Sequence, residues 1–367
     1  MIVRTAIRIA MILSAGAANL FAQTEASNLK VFGYFQVALG FQKDVQTERE
    51  QNSFTLQQLN LFLQKNLSSD WTAFVNFEFV NTYSSFFDWG GFALEEAWIN
   101  YRRSDQFKLK IGLLTPTFNN LNEIKNRTPL LPYIIRPVVY ESSFREIVPT
   151  EAFAPARAFV QAYGFIPAGD TKFEYAAYLG NSPNINDNPE RGVTGLDTSR
   201  TFLLGGRVGV RHNFLRAGFS STFDKLDFSF APDTLGIPAI ESRSVLRTRL
   251  GGDISYHDNK WLLEGEYIRV LYNLDQAEVR IDQTFYYGTL GYHFSERLLV
   301  YASYWVAHAN VQPIEEEGFQ VPTIGMAYNL NDMIILKAQL ARVHSEDTNP
   351  VIDANYDYSY LAVSVVF

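Results

Sequence analysis

The residues best suited to chemistry are concentrated in one irregular stretch. Between Leu114 and Pro155 the chain sets Lys125, Arg127, Arg136 and Arg145 against Glu123, Glu141, Glu146 and Glu151. Fixed guanidinium charges facing carboxylates attract and sort small ions; they offer no nucleophile. The same stretch carries Pro116, Pro129, Pro132, Pro137, Pro149 and Pro155, so a regular element cannot run through it. A connection of this length is functional or disordered. Disordered segments are poor in large apolar groups, whereas this one holds Phe118, Leu130, Leu131, Tyr133, Ile134, Ile135, Val138, Val139, Tyr140, Phe144 and Phe153. It is therefore predicted to pack against a wall.

A second set of charges alternates with apolar residues on either side of that stretch. Lys108, Lys110, Arg157, Arg207, Arg211, Arg247 and Arg249 share faces with Glu78, Glu96, Glu174, Asp253, Glu264 and Glu266, and Arg102 and Lys337 join the basic set. The arginines fall on what read as the sixth, eighth and tenth strands, where they could form a ladder for phosphate or carboxylate oxygens. The bland alternative is that the carboxylates neutralise them and the pairs brace a wall. Catalysis finds no support: His212, His257 and His293 sit near short turns, His308 and His344 at the opposite ends, none beside a lumen-facing Ser or Asp pair. His308 and His344 with Asp347, or Asp353 with Asp357, could meet at a rim, but no metal-site spacing is present. No enzyme activity, metal or cofactor is expected.

The elements that must hold these charges alternate with a period of two. Trp71, Ala73, Val75, Phe77 and Phe79 face away from Thr72, Asn76 and Glu78, a pattern of half-buried strands and not of helices. Such segments recur to the end of the chain. The connections between them alternate short (near 66–70, 103–106, 166–171, 212–215, 257–260, 295–297 and 330–332) and long (near 43–51, 81–91, 114–155, 181–199, 224–243, 271–283, 307–321 and 344–355). An even number of about sixteen strands, with every second connection short, predicts a closed antiparallel transmembrane β-barrel with short periplasmic turns and long extracellular loops. A soluble sandwich has no reason for that alternation. The last strand alternates Leu361, Val363, Val365 and Phe367, an ending that resembles the signal read by the barrel-assembly machinery. Pairing it with the first strand would remove both open edges.

Bulk properties agree. The chain of 367 residues has 29 Phe and 20 Tyr, yet its mean hydropathy is only -0.09, as expected where lipid-facing and lumen-facing residues alternate. Cysteine is absent, so disulfides and thiolate metal sites are excluded. The net charge of -8 argues against nucleic acid as a partner, which needs a basic footprint. Residues 1–22 read as a secretory signal, with Arg4 and Arg8 before an apolar core from Ile9 to Ala18. Cleavage is placed after Ala22, with Ala18 as the alternative, leaving 23–367 as one barrel domain in the bacterial outer membrane, among lipid and lipopolysaccharide. No plug domain precedes the first strand, which argues against a TonB-dependent receptor.

Several short passages resemble porins, above all the phosphate-selective porin O and P family: Leu94-Glu95-Glu96-Ala97-Trp98-Ile99-Asn100-Tyr101, Lys110-Ile111-Gly112-Leu113, Ala154-Pro155-Ala156-Arg157, Tyr178-Leu179-Gly180-Asn181, Gly206-Arg207-Val208 and Gly291-Tyr292-His293-Phe294. The likeness lies in spacing and short patterns over most of the mature chain. It implies a trimer of sixteen-stranded barrels, the third long loop folded into each lumen. The longest connection here is also the third long one. The constriction would then be set by Lys125, Arg127, Arg136, Arg145, Glu141 and Glu146. Phosphate-specific members carry a lysine-rich constriction, whereas this loop has Lys125 beside arginines and glutamates, so small carboxylates stand beside phosphate as solutes. The reading is passive diffusion of small hydrophilic solutes, leaning to anions; the alternative is a non-conducting structural or surface-binding barrel.

Overall fold

In a computed structural model of the chain the described residues are 29–80, 91–141, 150–183, 190, 193, 196–197, 201–230, 240–273, 280–312, 315–345 and 355–367. The segment 1–22 and the charges Arg145 and Glu146 lie outside them.

Alternation in the sequence becomes alternation across a closed sheet. The strands are β1 (Leu29–Asp44), β2 (Glu50–Asn66), β3 (Trp71–Val80), β4 (Gly91–Arg102), β5 (Lys108–Leu114) and β6 (Ala158–Ala168). They continue as β7 (Thr171–Asn181), β8 (Phe202–His212), β9 (Leu215–Phe230), β10 (Ile240–His257) and β11 (Trp261–Asn273). The last five are β12 (Arg280–Ser295), β13 (Leu298–Gln312), β14 (Glu315–Asn329), β15 (Ile334–Ser345) and β16 (Tyr356–Val366). Each pairs antiparallel with its sequence neighbours, and β1 pairs with β16 to close a barrel of sixteen strands. At the seam Phe367 and Gly33 exchange both backbone hydrogen bonds, at 2.8 and 3.0 Å. Closure leaves no unpaired edge, which is what permits strands to cross a bilayer.

On the outside, Leu204 and Val208 are exposed while Arg207 between them is 3% exposed and points inward. Outward aromatics gather near both rims. Trp71 with Tyr101 and Trp261 with Tyr292 pack at 4.9 Å near the short turns, while Tyr267 pairs with Tyr286 toward the long-loop end. These are the girdles of an outer-membrane barrel. The short turns are tied locally. Asp258 accepts the backbone N–H groups of Trp261 and Lys260 at 2.6 and 2.7 Å, which holds its carboxyl below the ordinary range.

Two expected long connections are corrected. The stretch 307–321 is mostly strand, with β13 running to Gln312 and β14 starting at Glu315, and within 224–243 only 231–239 separate β9 from β10. These hairpins run on past the outward aromatics, where neither face must be apolar, so the period of two fades although the backbone ladder continues. At the start of β6 Ala158 is fully buried beside Leu114, on the same side as Gln161 although strict alternation puts positions 158 and 161 on opposite sides, because the β5–β6 register shifts between Ile111 and Leu114.

That shift starts the long connection. Gly112 takes a φ of 127°, and a Cβ there would strike the Ala97 carbonyl oxygen and come within 2.7 Å of the Trp98 Cα. Glycine alone tolerates both demands. Gly112→Ala is therefore expected to cost roughly 1–3 kcal/mol, read as a lower urea midpoint for the gel band whose mobility differs between unboiled and boiled samples.

Candidate functional site

From Leu114 to Glu141 the chain runs inside the lumen. It forms two short 3-10 turns, Lys125–Leu130 and Val138–Tyr140, and a four-residue helix α1 (Thr150–Phe153), before rejoining the wall at Ala158. Its apolar side chains Phe118, Leu121, Val138, Tyr140 and Phe153 pack on Ile268, Val270, Phe285, Trp305 and Val321 from β11–β14. Each fully buried side chain of this kind contributes about 1.5–3 kcal/mol. The inner face of that part of the barrel is apolar for this reason, as the apolar content of the loop requires.

Irregular backbone needs partners for its N–H and C=O groups, and wall side chains supply them. Glu266 accepts from the backbone N–H of Asn120 and Leu121 at 2.9 and 2.6 Å and from the Tyr140 hydroxyl at 2.6 Å. Ser220 accepts from Asn119 N at 2.9 Å, and Gln161 from Thr117 N at 3.0 Å. Gln339 accepts from the N–H groups of Ile134 and Ile135 at 2.6 and 2.9 Å and donates to Ile135 O at 3.0 Å. Lys337 donates to the carbonyls of Thr128, Pro129 and Tyr133 at 2.9, 3.2 and 3.3 Å, and to Gln36 at 2.8 Å. Asn122 ties the two roots together through the carbonyls of Pro116 and Pro155, at 2.9 and 3.1 Å.

The expected constriction charges divide. Arg136 and Glu141 are buried and bind each other at 3.2 Å, and Arg136 also donates to the Lys125 carbonyl. They brace the loop from within. Arg127 is exposed on the loop edge, and Lys125 lies 6.0 Å from the Tyr140 ring. Across from this edge stand carboxylates of β3 and β4. A bulge at Glu95, which has no partner opposite Asn76 and Phe77, turns it inward beside Glu96, and it accepts from the Asn126 amide at 3.0 Å. Lys110 reaches Glu123 of the loop at 3.9 Å.

All seven basic wall residues singled out from sequence sit on the inner side of the barrel or at its mouth, and most carry a carboxylate. Arg207 binds Asp253 through two nitrogens at 2.6 and 3.0 Å and reaches Glu174 at 3.4 Å. Glu174 also receives Arg211 at 2.9 Å and Arg216 at 2.7 Å. Arg247 grips Asp224 through two nitrogens at 2.7 and 2.9 Å, and Arg249 binds the same carboxylate at 3.0 Å and the Ala152 carbonyl at 2.7 Å. Lys108 lies 3.6 Å from Asp105. Arg157 is exposed and forms no hydrogen bond or ion pair with a described residue. His344, expected at a rim, meets Asn355 at 2.6 Å, and Asp357 is held by Arg342 at 2.6 and 2.8 Å; Asp347 and Asp353 lie outside the described residues.

Two clefts lie beside the loop, next to its roots and the segment that follows Leu114. One of about 420 Å³, toward the long loops, is lined by Arg157, Arg247, Arg249 and Asp224. The other, of about 250 Å³ toward the short turns, is lined by Lys108, Glu123, Tyr163, Glu174, Arg211 and Arg216 among others. In both clefts cations outnumber the carboxylates that line them. Sequence reasoning missed Asp224, placed in a loop, and Arg216, although both share the inward period of β9 with Ser220 and Thr222. It also missed the neutral anchors Gln36, Gln161, Ser220 and Gln339, which no motif marks.

No protein-family model matches this sequence, and no curated protein sequence does. Solved structures do share the fold. The chain is similar to the outer-membrane channel DcaP of Acinetobacter baumannii, with 10% identity, a TM-score of 0.63 and coverage of 92% of this chain and 97% of that one. An anion-selective porin of Comamonas acidovorans gives 14% identity and a TM-score of 0.62 over 93% of this chain and 100% of that chain. The outer-membrane protein OmpT of Vibrio cholerae gives 11% and 0.62 over 94% and 99%. At such identities the likeness is one of architecture: the chain is a sixteen-stranded barrel of the outer membrane.

Lys337→Met removes the ammonium shared by three loop carbonyls while keeping most of the packing. The expected result is a cleavable loop in an intact barrel: limited proteolysis nicks the variant between residues 114 and 155 at protease levels that leave the native protein whole.

Proposed function

We propose that this protein is an outer-membrane diffusion channel for small hydrophilic solutes, leaning toward anions such as phosphate and small carboxylates. One observation carries the reading. The loop packs on the apolar inner face of β11–β14, and the two clefts beside it are lined by charged residues, with cations in excess in both. Apolar walls against protein and charged walls against water are what a solute path requires. The barrels it resembles include proteins described as a channel and as an anion-selective porin.

Arg157 would meet an incoming anion first, above the constriction. Beyond it Lys125 and Arg127 on the loop face Glu95 and Glu96 on the wall, and Lys108, Lys110 and Arg211 follow. Asp224, Glu174 and Asp253 temper the arginines, so the preference is modest rather than a strict filter. The channel is assigned as a homotrimer, the state in which a structure of the Vibrio protein was also described. Phe367, which closes the seam, is assigned as the terminal signal for the assembly machinery, and 1–22 as the export signal.

A specific observation favours the non-conducting reading as runner-up. The loop touches β1 and β2 as well: the Asn126 carbonyl accepts from Tyr34 at 2.7 Å and from Gln58 at 2.5 Å. Planar-bilayer recording separates the two. Ohmic single-channel steps are expected, with a reversal potential on the chloride side in a KCl gradient. Glu174→Gln and Asp224→Asn should each move that potential further toward chloride. Folded protein without steps contradicts the channel, and a cation-side potential contradicts the anion preference.

A further inference from the structure

Toward the short turns, the inner wall of β4–β7 carries an alternating series of rings and ammonium groups. Lys110 lies 4.9 Å from the Trp98 ring centre and 5.2 Å from that of Tyr163. Lys108 lies 5.7 Å from Tyr163 and 5.4 Å from Phe165, and Lys172 lies 5.0 Å from Phe165. Three rings and three cations thus interleave along one wall. Behind Trp98 the series continues as rings alone, stacked through Phe74 and Phe62 and then edge-on to Tyr34, with centres 4.7, 5.5 and 5.1 Å apart. That stack is a rigid backing: Tyr34 and Phe62 are buried, so only the interleaved part faces the lumen.

Two features separate this arrangement from a wall brace. The carboxylates of Lys108 and Lys110 lie at 3.6 and 3.9 Å, longer than the tight pairs of Arg207 and Arg247. Their charge is therefore compensated loosely, and a loose partner is displaced at low cost. The second feature is the space beside them. Lys108, Tyr163 and Phe165 line the cleft of about 250 Å³ together with Arg211 and Arg216, a volume below that of drug-sized sites and suited to one small ring.

We infer that this cleft is a binding seat for a small organic anion with a planar apolar body, such as a single-ring carboxylate. The carboxylate sits at Lys108, beside Arg211 and Arg216, which Glu174 holds at 2.9 and 2.7 Å, and the ring lies against Phe165 and Tyr163. Ring and charge are both required. A bare anion leaves the aromatic surface unused, and a neutral ring leaves the ammonium groups unmatched. The seat rests on reading this lumen as a solute path, and gives that path a preferred class of cargo.

Equilibrium binding to the detergent-folded full chain tests it without any ion current, so a failure here is distinct from a failure to conduct. Benzoate, acetate (charge without ring) and benzyl alcohol (ring without charge) are titrated calorimetrically. Benzoate is expected to bind at least about fivefold more tightly than either control. Lys108→Gln and Phe165→Leu should each weaken benzoate about fivefold, while Arg342→Gln, at a guanidinium held by Asp357 away from the cleft, leaves it unchanged. Each variant is first shown to fold by its heat-dependent gel mobility, and either of the first two suffices. Equal binding of benzoate and acetate, or benzoate binding unchanged in a folded Lys108→Gln or Phe165→Leu variant, overturns the proposal.

Discussion

An irregular backbone inside a barrel must find a partner for each polar group, because it has no ladder of its own and limited water. Much of this structure follows from that requirement. The prolines that keep 114–141 from becoming a strand or a long helix also leave its amides and carbonyls without a ladder of their own. Glu266 alone takes two of those amides and a tyrosine hydroxyl, Gln339 takes two more, and Lys337 gathers three carbonyls. Removing one such wall residue leaves several buried groups unmatched at once, which makes the placement of the loop cooperative.

Once held, the loop divides the lumen by polarity. Phe118, Val138 and Phe153 cover the inward rings of β12 and β13, and the barrel interior there is packed like a protein core. On the opposite wall the arginines and carboxylates Arg207, Arg247, Arg249, Asp224 and Asp253 are buried as paired charges. The ion pairs on that wall have two consequences. They fix guanidinium groups that would otherwise swing freely, and they lower the net field a solute meets. Two arginines sharing Asp224 and three sharing Glu174 retain a positive surplus while holding each side chain still.

Much of this was legible in the sequence, and the gaps have physical causes. Strict alternation in 71–79 and the even succession of short turns announced the barrel, because the lipid and lumen faces impose a period of two. The length and apolar content of 114–155 announced a packed loop. The reach of β13 and β14 was hidden, since beyond the apolar band neither face needs to be greasy. The inward rings Phe285 and Trp305 gave no sign of which side they faced, because both faces of those strands are apolar. Gln161, Ser220 and Gln339 were missed because neutral polar residues carry no charge pattern, and their task appears only once the loop backbone lies beside them. The bulge at Glu95 was invisible for a similar reason: it depends on the register of two strands and not on either alone.

The placement of 114–141 inside the lumen, against β1 and β16, is what everything else depends on, and the natural absence of cysteine makes it directly accessible to cross-linking. Ile134 clusters with Ala38 and Ala362 on the inner wall. An Ile134→Cys, Ala362→Cys double variant, oxidised in membranes, is expected to form an intramolecular disulfide that changes its mobility on a non-reducing gel. If the two introduced thiols stay unlinked in the folded barrel, and the one at position 134 reacts freely with a bulky reagent from outside, the loop lies over the rim and the account fails.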